Sequence, residues 1–468
     1  MQLVVACRTA DWPTAAGNKL LSLWNTDTTR SFWELCPLRR EDAELAATSR
    51  EINPKDFLEQ VYQKNVVTLA SRPTTLFFLL RQFKRTGELR GTYREIYKRG
   101  ILDLCDEPDP ERAEQARFSH ERAIFTADQL RDGAAYLAAM LILSGRSAIS
   151  VGDRDIAFAN RDLHLASLFE KSNVPKSLSF DLLHATLATA LFSSRGEQRF
   201  GFTHQTFAEC LAARQVQDLP LIQLRELFCR VDGEQEHVFP QLAETAAWLA
   251  GANEAFLEHL LRIDPEVLLR SDITRIQGSR KREVVTAVLE KAKRLELFDD
   301  IGLRRFFSSL HHDGLPQQLW PYINDSSLNI IVGRLAVEIA EECELSELNG
   351  ELLAMLRQPD VDQQVKEAAA RVLKKTLSDK ALDKLEPLAR GECGADPDDQ
   401  LKAYALERLV PTHWSIAEAL PWMKAPKNSH FHGSYWMFLH YQVANSVTGK
   451  DLPELLQFLH PFRIASTH

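Results

Sequence analysis

Over most of this chain apolar side chains recur every three or four residues, the spacing that lines one face of an α-helix. Phe57, Val61, Leu69, Leu76, Leu79, Leu80 and Phe83 carry that rhythm through the first helical stretch. Asn53-Pro54 predicts a helix start, with asparagine as N-cap and proline at the first helical position. Pro73 predicts another, because a ring that fixes φ and lacks an N–H suits a first turn. Glu107-Pro108-Asp109-Pro110 closes this helical unit. Next, "TADQLRDGAAYLAAMLILSG" predicts one amphipathic helix ending at Gly145. "SLSFDLLHATLATALFSSRGEQRFGFTHQTF" then predicts a helix, a turn at Arg195-Gly196-Glu197, a short strand and another helix. Helices with a small β-wing ahead of the last one indicate a winged-helix arrangement. From Leu219 onward the pattern predicts only helices and short connectors. "LAVEI" at 335, "AARVL" at 369 and "ALERL" at 405 recur at intervals of 34 and 36 residues, each followed by a second helix. Paired helices at that interval predict an α-solenoid of HEAT or TPR type, although neither strict signature is present.

The N-terminus breaks the rhythm. Leu3 to Cys7 is a continuous apolar run ending at Arg8, and Ser31 to Leu35 is a second strand candidate. Continuous runs suit strands buried on both faces of a parallel sheet, whose carboxyl ends gather ligands. Two strands do not make a stable sheet unaided, so the rest of that sheet is expected outside this sequence. The resulting expectation is a mainly α fold. It comprises residues 1–38 as the tail of an α/β core, 39–118 as a helical domain, 119–217 as a winged helix and 218–468 as helical repeats.

Composition changes this picture little. Of 468 residues 45% are hydrophobic and 26% charged, the balance of a globular protein, and the length calls for several domains. The net charge of −9 argues against bulk attraction to nucleic acid or anionic lipid, although a local basic patch can hide within it. Seven cysteines without a C-x-x-C pair read as reduced thiols in a cytoplasmic protein. No signal peptide and no run of ~20 apolar residues is present, so no membrane partner is expected. His430, His432 and His440 near Trp436 read as a surface loop entering an aromatic helix rather than a zinc site. His311-His312 followed by Gly314 reads as a helix end, the basic cluster around Lys281 as a solvated loop or helix start rather than a nucleic-acid contact, and Asp264-Pro265 as a helix cap and first position. No catalytic Ser/His/Asp, paired-carboxylate or cysteine arrangement stands out.

His204 is the notable residue. It lies between Thr203 and Thr206 where a strand runs into a helix, among N–H groups that favour an anion, so either the histidine is a local cap or something negative sits there. Thr203 or Thr206 as N-cap, with Thr206–Glu209 as a capping box, is the structural alternative, and the two accounts are compatible.

The segments "VVACR", "LCPL", "SRPTTL" and "GFTHQTFAECLAAR" come in the order found in the second half of a NACHT module. The last resembles the pattern F-x-H-x-x-F-x-E-[FYC]-x-A-A of that family, matched by Phe202, His204, Phe207, Glu209, Ala212 and Ala213. NACHT modules belong to the STAND signalling NTPases, which include animal NLR receptors and bacterial antiviral proteins; the resemblance covers about residues 1 to 217. It implies ATP/ADP as cofactor, with Arg8 as the sensor-1 arginine facing the terminal phosphate, Pro73 packing on adenine and His204 contacting the β-phosphate in the closed state. It also implies a protein ligand on the repeats (a phage protein, for the bacterial members) and a homo-oligomer on activation. The departure is equally plain. No G-x-x-x-x-G-K-[ST] occurs and no acidic strand end precedes Arg8, so neither the phosphate-cradling loop nor the magnesium carboxylate is present. ATP hydrolysis by this polypeptide alone is not expected; the missing half is upstream sequence or a separate chain, unless the gene is decayed. A helical-repeat scaffold that binds a protein without nucleotide is the alternative.

Overall fold

The computed structural model describes residues 38–64, 66–71, 73–106, 125–152, 161–170, 174–195, 198–271, 278–297, 301–392, 394–447 and 449–457. The two N-terminal strand candidates, Arg8 and the prolines at 108 and 110 lie outside the described residues. The chain is mainly helical, with two small sheets, and divides into two compact units, residues 1–272 and 273–468.

The first unit opens with four helices: α1 (Arg40–Thr48), α2 (Pro54–Gln63), α3 (Pro73–Thr86) and α4 (Tyr93–Cys105). The prolines begin α2 and α3 as expected, and Asn53 caps α2 by accepting the Lys55 N–H at 3.1 Å. Phe57, Val61, Leu69, Leu76, Leu79, Leu80 and Phe83 are all buried. Thr92 and Glu95 close a capping box on α4, satisfying two N–H groups that a helix start leaves unpaired.

α5 (Ala127–Ser144) is the longest helix of this unit and its hub. Thr126 and Gln129 form its capping box, and Gly145 ends it in the left-handed region at φ 63°. One amphipathic face was the expectation; instead every residue from Gly133 to Ala139 is buried. The physical reason is side-chain size. Gly133, Ala134, Ala135, Ala138 and Ala139 let partners approach from several directions, so α4, α7 (Phe180–Leu187) and α8 (Gln205–Val216) all pack on α5. Helix α8 answers with small residues of its own, Ala208, Ala212 and Ala213, around buried Phe207 and Leu211. Each large side chain buried in this way contributes roughly 1.5–3 kcal/mol.

Between α5 and α8 lie β1 (Ala148–Ser150), β2 (Asp162–His164), α6 (Leu165–Glu170), α7, β3 (Phe192–Ser194) and β4 (Arg199–Phe202). The sequence pattern predicted one short strand here; four form a sheet of order β2-β1-β4-β3. β1 and β2 are parallel, pairing Ile149 with Leu163, and β4 runs antiparallel to both β1 and β3. Three-residue strands carry too little alternation to register in the pattern. Arg199 on β4 clamps the buried Asp162 of β2 with both arms of its guanidinium, one at 2.8 Å, and so ties the sheet across β1.

The unit continues with α9 (Leu221–Phe228), β5 (Cys229–Asp232), β6 (Gln235–Val238), α10 (Ala243–Ala250) and α11 (Glu254–Ile263). The β5–β6 hairpin corrects the expectation of helices alone beyond Leu219. Its two-residue turn starts at Gly233, whose φ of +66° suits the twist of a tight hairpin and disfavours any residue with a Cβ. Asp264 and Pro265 stand as expected at the N-cap and first position of a short helix, Pro265–Leu268, but the Asp264 side chain does not cap it. Its carboxylate instead accepts the Val238 N–H at 2.6 Å and meets His237 Nδ1 at 3.0 Å.

The second unit includes α12 (Gly278–Lys293), α13 (Leu315–Asn324), α14 (Ile330–Glu342), α15 (Asn349–Met355), α16 (Gln363–Thr376) and α17 (Gln400–Leu409). The three recurring pentapeptides fall on α14, α16 and α17, which pack in that order. Gly333, Ala336, Ala340, Ala368, Ala369, Ala403 and Ala405 make the close contacts, and second helices intervene in sequence, α15 after α14 and Glu386–Arg390 after α16. Ion pairs run between successive repeats, Arg371 with Glu341 at 3.2 Å and Arg304 with Glu341 at 2.7 Å, and Lys374 with Glu407. Lys281 sits in α12 as expected, donating to the His311 carbonyl at 2.7 Å. The stretch before Gly314 is a 3₁₀ turn, Phe307–Leu310, and Gly314 serves as N-cap of α13 rather than as a helix stop.

Gly133 gives a direct test of the α5 contacts. A Cβ built there meets Thr186 Oγ1 at 2.6 Å, and that hydroxyl is buried and donates to the Leu182 carbonyl at 2.7 Å, so it has no room to yield. Gly133→Ala should lower the unfolding free energy by about 1–2 kcal/mol through overpacking, although alanine is the better helix former by about 1 kcal/mol. A double-mutant cycle with Thr186→Ala in urea should return a coupling of about 1 kcal/mol; a stabilised Gly133→Ala with no coupling would contradict this packing.

Candidate functional site

Helix α8 carries the residues that the sequence singles out. β4 ends at Phe202, which is buried against Phe192 across the hairpin with ring centroids 4.3 Å apart. The chain then turns through Thr203 and His204 into α8. His204 itself is the N-cap: its backbone is extended (φ −138°, ψ 130°) and its Nδ1 accepts the Thr206 N–H at 3.2 Å. Imidazole Nδ1 stands where an asparagine cap places its oxygen, which is why histidine can serve. The expected Thr206–Glu209 capping box does not form. Thr206 lies within the helix, and Thr203 Oγ1 donates to the Ala190 carbonyl at 3.1 Å.

An Nδ1 that accepts a backbone N–H carries no proton, so in the neutral ring the proton is on Nε2. The ring is half-buried and meets Phe207 edge-on at 5.9 Å. From Phe207 an aromatic chain continues to Tyr97 at 5.4 Å and on to Trp248 at 5.2 Å, with Tyr93 stacked on Trp248 at 4.9 Å. His204 is thus joined to α4 and α10 through the core. Pro73 is exposed at the start of α3, and Arg8 lies outside the described residues, so the three residues implied by the resemblance are not brought together by any described contact.

Glu209, one turn further along α8, is a half-buried carboxyl raised to about 7. Burial is the main cause, with the neighbouring Glu244 adding to it. Phe207, Ala212 and Ala213 are buried, so the apolar positions of the motif serve the core contact with α5.

The other half of α8 lines a cavity that sequence reasoning missed. It has a volume of about 230 Å³ and lies between α4, α5 and α8, with Arg94, Lys98, Arg131 and Arg214 around Cys210. Arg131 pairs with Asp128 at 2.5 Å and with Asp132 at 3.0 Å, and Arg214 reaches Asp132 at 3.3 Å. Burial pushes the Cys210 thiol up to about 12 in spite of Arg94 and Arg214, so the sulfur adds no negative charge and is no nucleophile at neutral pH. Sequence reasoning passed over the cavity because its residues come from three helices, although Arg94 and Lys98 at i and i+4 show in the sequence as a basic pair on one face of a helix. At ~1.5 Å rise per residue, Cys210 and Arg214 sit roughly 9–15 Å along α8 from His204, so the cavity and the histidine are separate features.

Two outcomes follow from this geometry. His204→Ala should cost about 1 kcal/mol of stability through the lost cap, whereas His204→Asn should restore it; equal losses in thermal denaturation would deny the capping role. For Glu209 the folded-state pKa is raised, so its stabilising contribution is complete below about pH 4.5 and is lost as the pH rises through about 7. Glu209→Gln should therefore match the wild type at pH 4 and exceed it by about 2 kcal/mol at pH 8, read by urea denaturation at both values. A constant difference would contradict it.

Comparison with family models, with curated proteins and with solved structures returns no match to this chain.

Proposed function

We propose that this chain is the closing half of a nucleotide-gated STAND-type switch, joined to a helical-repeat sensor. The single observation that carries the reading is His204, which caps the helix following a strand with its proton directed to Nε2. A helix N-terminus and an imidazole N–H at the same place favour one anion, here a phosphate of ADP. The small sheet ahead of α8, with its β3–β4 hairpin, supports a winged helix as the carrier of that contact. The stacked α14, α16 and α17 support an α-solenoid as the ligand-sensing surface. Ligand on the repeats would favour the open state, and ATP would replace ADP because the two nucleotides bind the two states with different affinity. The Walker A lysine and the magnesium carboxylate must come from polypeptide not contained in this sequence, and copies would then oligomerise through the opened form. Among the described residues no helix is long and apolar enough to cross a membrane.

A nucleotide-independent scaffold is the second reading, favoured by the absence of a Walker A motif from a chain whose repeats pack as a unit of their own. Under the switch reading, the chain alone should show no ATPase activity. Its complex with the P-loop polypeptide should retain ADP through purification. His204→Asn, which keeps the cap, should weaken that retention by about tenfold or more, the loss of one hydrogen bond to a charged group. Undiminished ADP retention in the His204→Asn complex would remove the histidine from the mechanism, and partner binding indifferent to nucleotide would favour the scaffold.

A further inference from the structure

The β5–β6 hairpin and α11 bring together three side chains that neither the switch nor the helical packing uses. Because Cys229 pairs with Val238 and Val231 with Glu236, Cys229 and Glu236 project from the same face of the hairpin. Helix α11 packs on β6 and presents His259 to that face. One ligand atom from each, the thiol sulfur, a carboxylate oxygen and an imidazole nitrogen, lies within 4.8 Å of the other two. His259 is only 6% exposed, and its Nε2 is buried with no hydrogen-bond partner. That nitrogen points at the Glu236 carboxylate at 3.4 Å, off the line of a hydrogen bond. Leaving a buried polar nitrogen unsatisfied costs about 1–3 kcal/mol, so the arrangement calls for an occupant.

We propose that Cys229, Glu236 and His259 bind one zinc-class divalent ion. Thiolate, imidazole and carboxylate together are the donor set of a borderline-soft cation, and oxygen-seeking magnesium or calcium would not select a thiol. The geometry agrees. Ligand bonds of about 2.0–2.1 Å in a tetrahedron place two donor atoms about 3.3 Å apart, and Nε2 and Oε1 stand at 3.4 Å. Three protein ligands leave the fourth position to water or to a fourth donor.

The surroundings prepare each ligand. Arg225 forks onto Glu236 at 3.0 and 2.8 Å and orients the carboxylate, as outer-shell partners of metal ligands do. Burial disfavours the Glu236 charge, but the Arg225 guanidinium outweighs it and holds the group below the usual carboxylate range. Burial lowers His259, so its ring is neutral, the form that donates a lone pair. Burial also pushes the Cys229 thiol up to about 12, with Glu236 and Asp264 adding to it. The metal–sulfur bond therefore forms as the S–H bond breaks, and one proton leaves to solvent for each ion bound.

The test uses the whole chain, stripped with a chelator and reloaded with Zn²⁺ or, as a spectroscopic probe, Co²⁺. One ion should bind per chain, Co²⁺ should show a thiolate-to-metal charge-transfer band, and the apparent affinity should rise about tenfold per pH unit between about pH 6.5 and 8.5. C229S and H259Q should each weaken binding by about a hundredfold, and C229S should abolish the band. Should C229S fail to fold, peptide-mapped alkylation of the wild type decides: Zn²⁺ should protect Cys229 and leave Cys343 unchanged. No stoichiometric binding, a Co²⁺ spectrum without the thiolate band, a band that survives in C229S, or alkylation of Cys229 indifferent to Zn²⁺ would each overturn the site.

Discussion

The contact between α5 and α8 is the constraint on which the first unit depends. Two helices approach closely only where their facing residues are small, and here alanines on both sides surround Leu137, Phe207 and Leu211. Once α8 is fixed against α5, its first residue fixes the end of β4, and β4 in turn carries β1 and β3. The same helix delivers Phe207 to the aromatic chain that joins α4 and α10. A larger residue at buried Ala212 would act on all of these at once, because packed interiors transmit strain rather than absorb it.

This arrangement gives α8 two ends of different character. Its N-terminus presents backbone N–H groups and a histidine whose Nδ1 is already committed, the kind of place where one added negative charge is welcome. Further along, Cys210, Leu211 and Arg214 line a cavity shared with Arg94 and Lys98 of α4 and Arg131 of α5, where Asp132 pairs with both Arg131 and Arg214. A helix held rigidly by its middle can report events at either end to the other through small displacements of a packed body. The reading of a switch rests on that mechanical property together with the histidine.

What the sequence discloses depends on the physical range of each signal. Local signals were legible. Asn53-Pro54, Pro73 and Gly145 mark helix ends where they occur, because capping and proline geometry involve only neighbouring residues. The recurrence of small-residue pentapeptides located α14, α16 and α17 before any contact was known. Signals that depend on partners distant in the chain were not legible. The all-round burial of α5 reflects three different helices, none adjacent to it in the apolar pattern. The hairpin at 229–238 was hidden because charged and polar residues dominate it, although "VDGEQ" carries a turn signal at Gly233. Of the site, His204 is legible through its position at a strand–helix junction, where the sequence offers the histidine and the threonines beside it alike as caps, and the structure selects the histidine. Cys229, Glu236 and His259 lie too far apart in the chain for any spacing rule to join them.

The same distinction separates the two units. In the second, successive helices repeat one contact with their neighbours, so local rhythm and tertiary packing agree. In the first, α4, α7 and α8 converge on one buried helix, whereas Cys229, Glu236 and His259 come together elsewhere, on the β5–β6 hairpin and α11.

Native-state hydrogen exchange measures that convergence most directly. If α5 and α8 form one cooperative body, the amides of Ala134 to Leu141 and of Ala208 to Ala213 should exchange at a common free energy, the slowest of the first unit, and respond together to denaturant. Exchange of α8 by a local opening several kcal/mol below that of α5 would contradict the account.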